Sequence, residues 1–229
     1  MVNEEHPLSE KESLRLITEM IQKAKESYYD TGISPLLWGS AVFIASLGTY
    51  LQQEFNYQLP FDIWLIVLLA IIPQIFISIR ESKFQKFRSY NDLAVDAIWL
   101  VYATTLFALI FYQNIVPAAT ARLINAEGWQ LMKHTINGNI PDQPIQPFAP
   151  SVTSIFLLVY AFPTLATGLI KQFKPMTVGA IITYGLFIVS CFVESKYDML
   201  LSAMTALLCW FIPGIILRKR YLKQKEVNV

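Results

Sequence analysis

Charge is scarce in this chain. Only 15% of its 229 residues are Asp, Glu, Lys or Arg, against 54% apolar, where a soluble domain carries about 25% charged and about 45–50% apolar residues. So little charged surface cannot hold a chain of this size in water, and a membrane protein is expected. Neither sign dominates: eighteen basic against seventeen acidic side chains leave a net charge of +1, which gives no general attraction for nucleic acid or acidic partners. Cysteine is confined to Cys191 and Cys209, and histidine to His6 and His134. That excludes a disulfide scaffold and leaves no His-rich metal site, zinc-protease helix or Ser-His-Asp set. There is no Gly-rich phosphate loop, and no apolar run holds the paired carboxylates of an intramembrane aspartyl protease. A non-enzymatic protein without cofactor or metal is expected.

What the chain does have is long apolar runs. A bilayer core of about 30 Å requires roughly 17–25 helical residues, and six windows qualify: Ser34–Leu51, Phe61–Ile79, Leu93–Val116, Val152–Ile170, Met176–Val193 and Met199–Leu217. Their length suits helices rather than the short alternating strands of a membrane barrel. The expected fold class is therefore all-α, a polytopic six-helix transmembrane bundle. Fifteen of the eighteen basic residues fall on one side of these spans, in the clusters 11–25, 80–88, 171–174 and 218–225; Arg122, Lys133 and Lys196 fall on the other. By the positive-inside rule both termini are expected in the cytoplasm. The first thirty residues are charged and lack a short apolar core before a small-residue cleavage site, so the first span is expected to remain as an anchor. Trp38, Trp64, Trp99 and Trp210 fall within the spans and read as interfacial anchors. Cys191 and Cys209 sit at unmatched depths, which favours two apolar thiols over a disulfide.

Residues 1–33 form a separate cytoplasmic segment. Ser9 followed by Glu12 is a capping-box signature, and Leu14, Ile17, Ile21, Ala24 and Tyr28 then recur at alternating intervals of three and four, a heptad seam. Gly32 supplies the stop and Pro35 suits the first turn of the next helix. The seam fits docking to a cytoplasmic protein or a second copy of the chain, or an amphipathic helix on the inner leaflet. The run Glu10-Lys11-Glu12-Ser13-Leu14-Arg15-Leu16-Ile17, with Met20-Ile21, Ala24-Lys25 and later Leu37-Trp38-Gly39, resembles the opening of small uncharacterised multi-pass bacterial membrane proteins. That resemblance covers mainly residues 1–50 and implies an inner (plasma) membrane location, with no assigned activity.

Spans two, four and six each hold one interior proline, Pro73, Pro163 and Pro213. Each is expected to bend its helix, and the repeated pattern suggests a helical hairpin used three times in parallel. Bent helices around a shared axis would line a solute path; prolines that only shape packing are the plainer reading. Intramembrane ionisable groups are functional candidates by default. Apart from Asp62 at the very start of the second window, Asp96 is the only carboxylate within the six windows, about one turn from the boundary marked by Asp92, and Gln74 is the deepest strong polar group. Gly39-Ser40-Ala41 and Thr177-Val178-Gly179-Ala180 suit close helix packing. Residues 117–150 read as the one large extracytoplasmic loop, with Pro141, Pro144, Pro147 and Pro150 spaced as a stiff polyproline strap, and residues 218–229 as a basic cytoplasmic tail. The membrane domain thus spans 34–217. The expected role is contact with a partner through the N-terminal helix; the alternative is a small-solute or ion transporter using the bent even-numbered helices. Expected partners are the lipid bilayer and a cytoplasmic protein or homo-oligomer, with no nucleic acid.

Overall fold

The computed structural model describes residues 13–15, 18, 31–84, 90–136, 141–145 and 152–227. Its helices are α1 (Ile33–Glu54), α2 (Leu65–Leu69), α3 (Ile71–Phe84), α4 (Tyr90–Ala126), α5 (Val152–Ile170), α6 (Lys174–Ser190), α7 (Ser195–Ala206) and α8 (Ile212–Val227), with a π-helical segment at Leu207–Phe211 joining the last two. Two short strands, β1 (Met132–Lys133) and β2 (Gln143–Pro144), pair antiparallel with Met132 opposite Pro144. The chain is thus nearly all helix. Among the described residues, five stretches are long and apolar enough to cross a membrane: Ile33–Glu54, Leu65–Lys83, Tyr90–Ala126, Thr153–Ile170 and Ser195–Glu226. The expected fifth run, Met176–Val193, forms the shorter apolar helix Lys174–Ser190.

Several boundaries differ from the sequence expectation. The second run is interrupted at Ala70, because the ring of Pro73 crowds the carbonyl of residue 69 and offers no amide to it. The third helix continues through Pro117 to Ala126, so the expected loop begins ten residues late and an odd-numbered run also contains an interior proline. At about 1.5 Å per residue this helix is about 55 Å long, well beyond a bilayer core. It ends where Gly128, at φ +81°, lets the Trp129 amide bond back to the Ile124 carbonyl at 3.0 Å, a Schellman closure. Pro144 lies in β2 rather than a polyproline strap; Pro147 and Pro150 fall outside the described residues. The basic tail is no separate segment, since α8 carries Arg218 to Lys225 within one continuous helix.

The buried core is built from α1, α5, α6, the end of α7 and the π segment that follows it, meeting at Val42, Tyr160, Ala180, Ala206, Cys209 and Trp210. The closest pairings are α5 with α6 and α1 with α7, which cut across a grouping into three successive hairpins. Helix α4 touches the core mainly through α5, while α2 and α3 touch α1. Peripheral helices leave Ile72, Phe76, Leu100, Val101, Phe107 and Phe111 exposed. In water each such side chain would forgo about 1.5–3 kcal/mol of burial; against lipid tails it is at home.

The bundle has two chemically different ends. At one, Thr31 donates a hydrogen bond to Glu81, Gly32 abuts Gly214 and Arg218, the Arg220 guanidinium lies 5.2 Å from the Phe173 ring centre, and Lys171 lies 3.8 Å from Asp92. These contacts gather the described parts of the basic clusters 80–88, 171–174 and 218–225. At the other end Lys196 pairs with Glu54 at 3.2 Å.

Two glycines bring neighbouring helix backbones into close contact. A Cβ on Gly179 would fall 2.2 Å from the Leu208 carbonyl oxygen, and one on Gly39 would fall 2.6 Å from the Phe211 amide nitrogen. Gly185, on the same helix as Gly179, faces open space. Gly179→Ala should therefore destabilise the purified protein by about 1–3 kcal/mol or more through forced helix separation. Gly185→Ala should be neutral or gain up to about 1 kcal/mol of helix propensity. Parallel thermal unfolding in detergent checks the pair, and equal effects would refute the packing.

Candidate functional site

Helix α7 opens at Ser195 and runs through Lys196, Tyr197 and Asp198. Asp198, Ser202 and Thr205 are spaced i, i+4, i+7, which puts them on one helical face. That face is turned into the bundle: Asp198 and Thr205 are 0% exposed and Ser202 is 2%. The small Ala203 and Ala206 beside them are buried too, which lets α1 lie close. From α1, the fully buried Ser46 places its Oγ 3.1 Å from that of Ser202. Neither carboxylate oxygen of Asp198 has a hydrogen-bond partner among the described residues, and the Thr205 hydroxyl has none either.

The polar face continues into residues that are satisfied. Thr183 of α6 donates to the Gly179 carbonyl at 3.0 Å and lies 3.2 Å from the Cys209 sulfur. Thr164 of α5 donates to the Tyr160 carbonyl at 2.9 Å and accepts from the Trp210 indole at 3.0 Å. Thr167 accepts from the Trp99 indole at 3.1 Å. Trp210 packs against Tyr160 at 5.1 Å and Trp99 against Tyr102 at 5.3 Å. Trp210 is thus a core residue rather than an interfacial anchor, because its N–H finds a buried acceptor and its ring has aromatic neighbours.

Asp198 stands apart from this satisfied network. An ion buried without a partner costs several kcal/mol even after relaxation. Its place in the first turn of α7 returns about 0.3–1 kcal/mol from the helix dipole, and at most about 2. The local structure therefore leaves the Asp198 carboxyl without a compensating partner among the described residues. Above it, Lys196 bonds Glu54 at 3.2 Å, approaches Glu194 at 3.8 Å, and lies 4.9 Å from the Tyr197 ring centre. The Tyr197 ring in turn sits 6.3 Å from that of Tyr50.

The residues singled out from sequence are dispersed. Asp96 lies on an exposed face of α4, one turn from Asp92, which faces Lys171. Gln74 is half-buried and donates to Ser34 of α1 at 3.0 Å and to Ser78 at 3.1 Å, with its Oε1 buried and unpartnered among the described residues. Pro163 and Pro213 are buried whereas Pro73 is exposed, so the three do not line a common axis. Of the expected seam, Leu14 is described and exposed; Ile17, Ile21, Ala24 and Tyr28 lie outside the described residues, as does Ser9. Cys191 is an exposed free thiol and Cys209 a buried one. Asp198 was missed because the sixth window opens at Met199, immediately after it. The signal that could have found it is the polar spacing 198, 202, 205 on an otherwise apolar face.

Among the described residues no three His, Cys, Asp or Glu side chains converge as a metal site. An open depression of about 590 Å³ at the α1–α2 connection, lined by Gln52, Gln53, Asn56, Tyr57 and Asp62 among others, assembles no catalytic set. No protein-family model matches the chain, and no curated protein or solved structure shows significant similarity to it. The class is therefore drawn from architecture alone: a nearly all-helical chain that has, among the described residues, five helices suited to a membrane and a buried carboxylate without a partner.

The contrast between satisfied and orphan hydroxyls is testable. Thr164→Val strands the buried Trp210 N–H and should cost about 1–3 kcal/mol. Thr205→Val removes a hydroxyl with no partner and should leave stability unchanged or raised. Chemical unfolding of both variants in detergent checks the difference.

Proposed function

We propose that this chain is an integral membrane protein with six crossings, α6 being the short one, and with both termini on the basic, cytoplasmic side of a bacterial inner membrane. The reading is supported by the apolar exposure of α3 and α4 and by the gathering of basic clusters at one end of the bundle. Reporter fusions after Gln85 and Gln172 should report cytoplasm and one after Gly138 the outside; a reversed result at Gly138 would overturn the span assignment.

Its activity, on this reading, is translocation of a small ion or solute rather than covalent catalysis. The observation that carries it is Asp198, a fully buried carboxylate without a partner among the described residues. Such a group is costly to keep, and exchanging a bound positive charge is a use that repays keeping it. In proteoliposomes under an imposed ion gradient, Asp198→Asn should lower flux at least about tenfold, the loss expected when about 1.4 kcal/mol of binding disappears. Asp96→Asn, on an exposed face, should retain it. Absence of flux from the wild type, or equal flux from both variants, would defeat the reading.

A second reading is carried by the capped seam Leu14, Ile17, Ile21, Ala24 and Tyr28, which fits a helical partner or a second copy. Deleting residues 1–30 should then change the pattern of in-cell cross-links. An unchanged pattern would remove this reading while leaving the first intact.

A further inference from the structure

We infer that the end of α8, with Lys174 near it, is a docking surface for anionic phospholipid headgroups, an inference that rests on the membrane-spanning reading and names a lipid partner for the basic end of the bundle. Residues 218–227 carry five basic side chains, Arg218, Lys219, Arg220, Lys223 and Lys225, against the single acid Glu226. Among the described residues, neither these five nor Lys174 forms an ion pair with a carboxylate. By contrast, Lys196 at the opposite end meets both Glu54 and Glu194. Lys174, Lys219, Arg220, Lys223 and Lys225 are all exposed, so their charge is turned to an anion outside the chain.

Depth favours a lipid as the source of that anion. Leu217 of α8 is buried against Phe173 and Met176, so apolar packing continues up to the residue before the cations. At about 1.5 Å per residue, Lys219 to Lys225 lie about 3–12 Å beyond Leu217. The polar layer on each side of a hydrocarbon core is about 5–8 Å deep, and lysine and arginine stems reach along such a boundary to keep their charges in it. The Arg220 guanidinium, 5.2 Å from the Phe173 ring centre, keeps this turn of α8 against the bundle, and Lys174 directly follows Phe173 as the first residue of α6. Leu222, in the middle of the cluster, is 43% exposed. Cations that flank a bared leucine suit a surface where headgroups meet acyl chains better than they suit a soluble acidic partner. A run of about four to eight Lys and Arg next to a membrane helix is the pattern by which anionic lipids are recognised. Each cation acts through the surface field, so no single phosphate has to bridge them. Charge selects the lipid class: a zwitterionic headgroup offsets its phosphate with its own ammonium, whereas an anionic one leaves net negative charge for these side chains.

The test uses the full-length purified protein in detergent micelles holding graded amounts of phosphatidylglycerol or phosphatidylcholine with the same acyl chains, and counts retained lipid by native mass spectrometry. Phosphatidylglycerol should bind at a roughly tenfold lower lipid fraction than phosphatidylcholine, and ionic strength raised from about 0.1 M to about 1 M should narrow the gap as the screening length falls from about 10 Å to about 3 Å. Lys223→Gln should weaken phosphatidylglycerol binding about fivefold, the worth of one surface cation. The triple variant Lys219→Gln, Lys223→Gln, Lys225→Gln should bring phosphatidylglycerol down to the level of phosphatidylcholine. All three lysines are exposed and make no printed-range contact that folding would lose, and Lys133→Gln, at the other end, should behave as the wild type. Equal binding of the two lipids by the wild type, or an undiminished preference in the triple variant, would overturn the surface. Binding of polyglutamate without any lipid preference would assign the cations to a soluble acidic partner and likewise overturn it. The outcome does not depend on which side of the membrane this end faces. A reversed reporter at Gly138 would overturn the orientation and keep the lipid surface, whereas loss of lipid preference would leave the span assignment standing.

Discussion

Where the last helix widens into a π turn at Leu207–Phe211, two neighbouring helices come so close that a side chain has no room. Gly39 of α1 meets the Phe211 amide, and Gly179 of α6 meets the Leu208 carbonyl. The π turn bonds the Ile212 amide back to the Leu207 carbonyl immediately before Pro213, whose ring cannot donate to the carbonyl of Cys209. Widening the helix by one residue accommodates the missing bond and sets the directions of Cys209 and Trp210. Those two side chains then reach Thr183 and Thr164, so α5, α6 and α1 are all registered on one irregular segment.

Around that segment the helices divide into two populations. Helices α1, α5, α6 and α7 with α8 bury one another through small residues and hydroxyls, whereas α3 and α4 present large aliphatic and phenyl side chains outward. In a bilayer the hydrophobic effect does not drive helices together, since lipid tails are as apolar as leucine. Close packing and interhelical hydrogen bonds supply that drive, and both are concentrated in the first population. Helix α4 is tied on by its Trp99 bond to Thr167, by aromatic contacts with Tyr160 and Trp210, and by Asp92 facing Lys171. The remainder of its surface is left for another apolar medium.

Asp198 belongs to the packed population, and that gives it meaning. Elsewhere in that population, Thr164, Thr167 and Thr183 are buried without cost because carbonyl, indole or thiol groups meet them. The carboxylate and Thr205 share their burial but not their satisfaction. Native structures retain few such groups, and each calls for an explanation. Asp198 lies at the contact between α7 and α1, near the Lys196–Glu54 pair.

The sequence by itself determined the helical class, the apolar runs, the asymmetry of basic residues and the small-residue stretches around Gly39 and Gly179, because each depends on composition or spacing within one segment. It located α5 residue for residue at Val152–Ile170, where Pro150-Ser151 and Lys171-Gln172 mark both ends of the window. It also marked Pro73 and Pro213 as irregular points, though the disturbance takes two forms, a single-residue interruption and a π turn. Which carboxylate is buried was decided only by the tertiary structure. Asp96 lies within an apolar run and is exposed, whereas Asp198 lies at the edge of one and is fully covered. Hydropathy averages over a helix without regard to its faces, and burial of a face depends on which distant segment packs against it. For Asp198 that segment is α1, about 150 residues earlier in the chain, a separation across which no local pattern carries information.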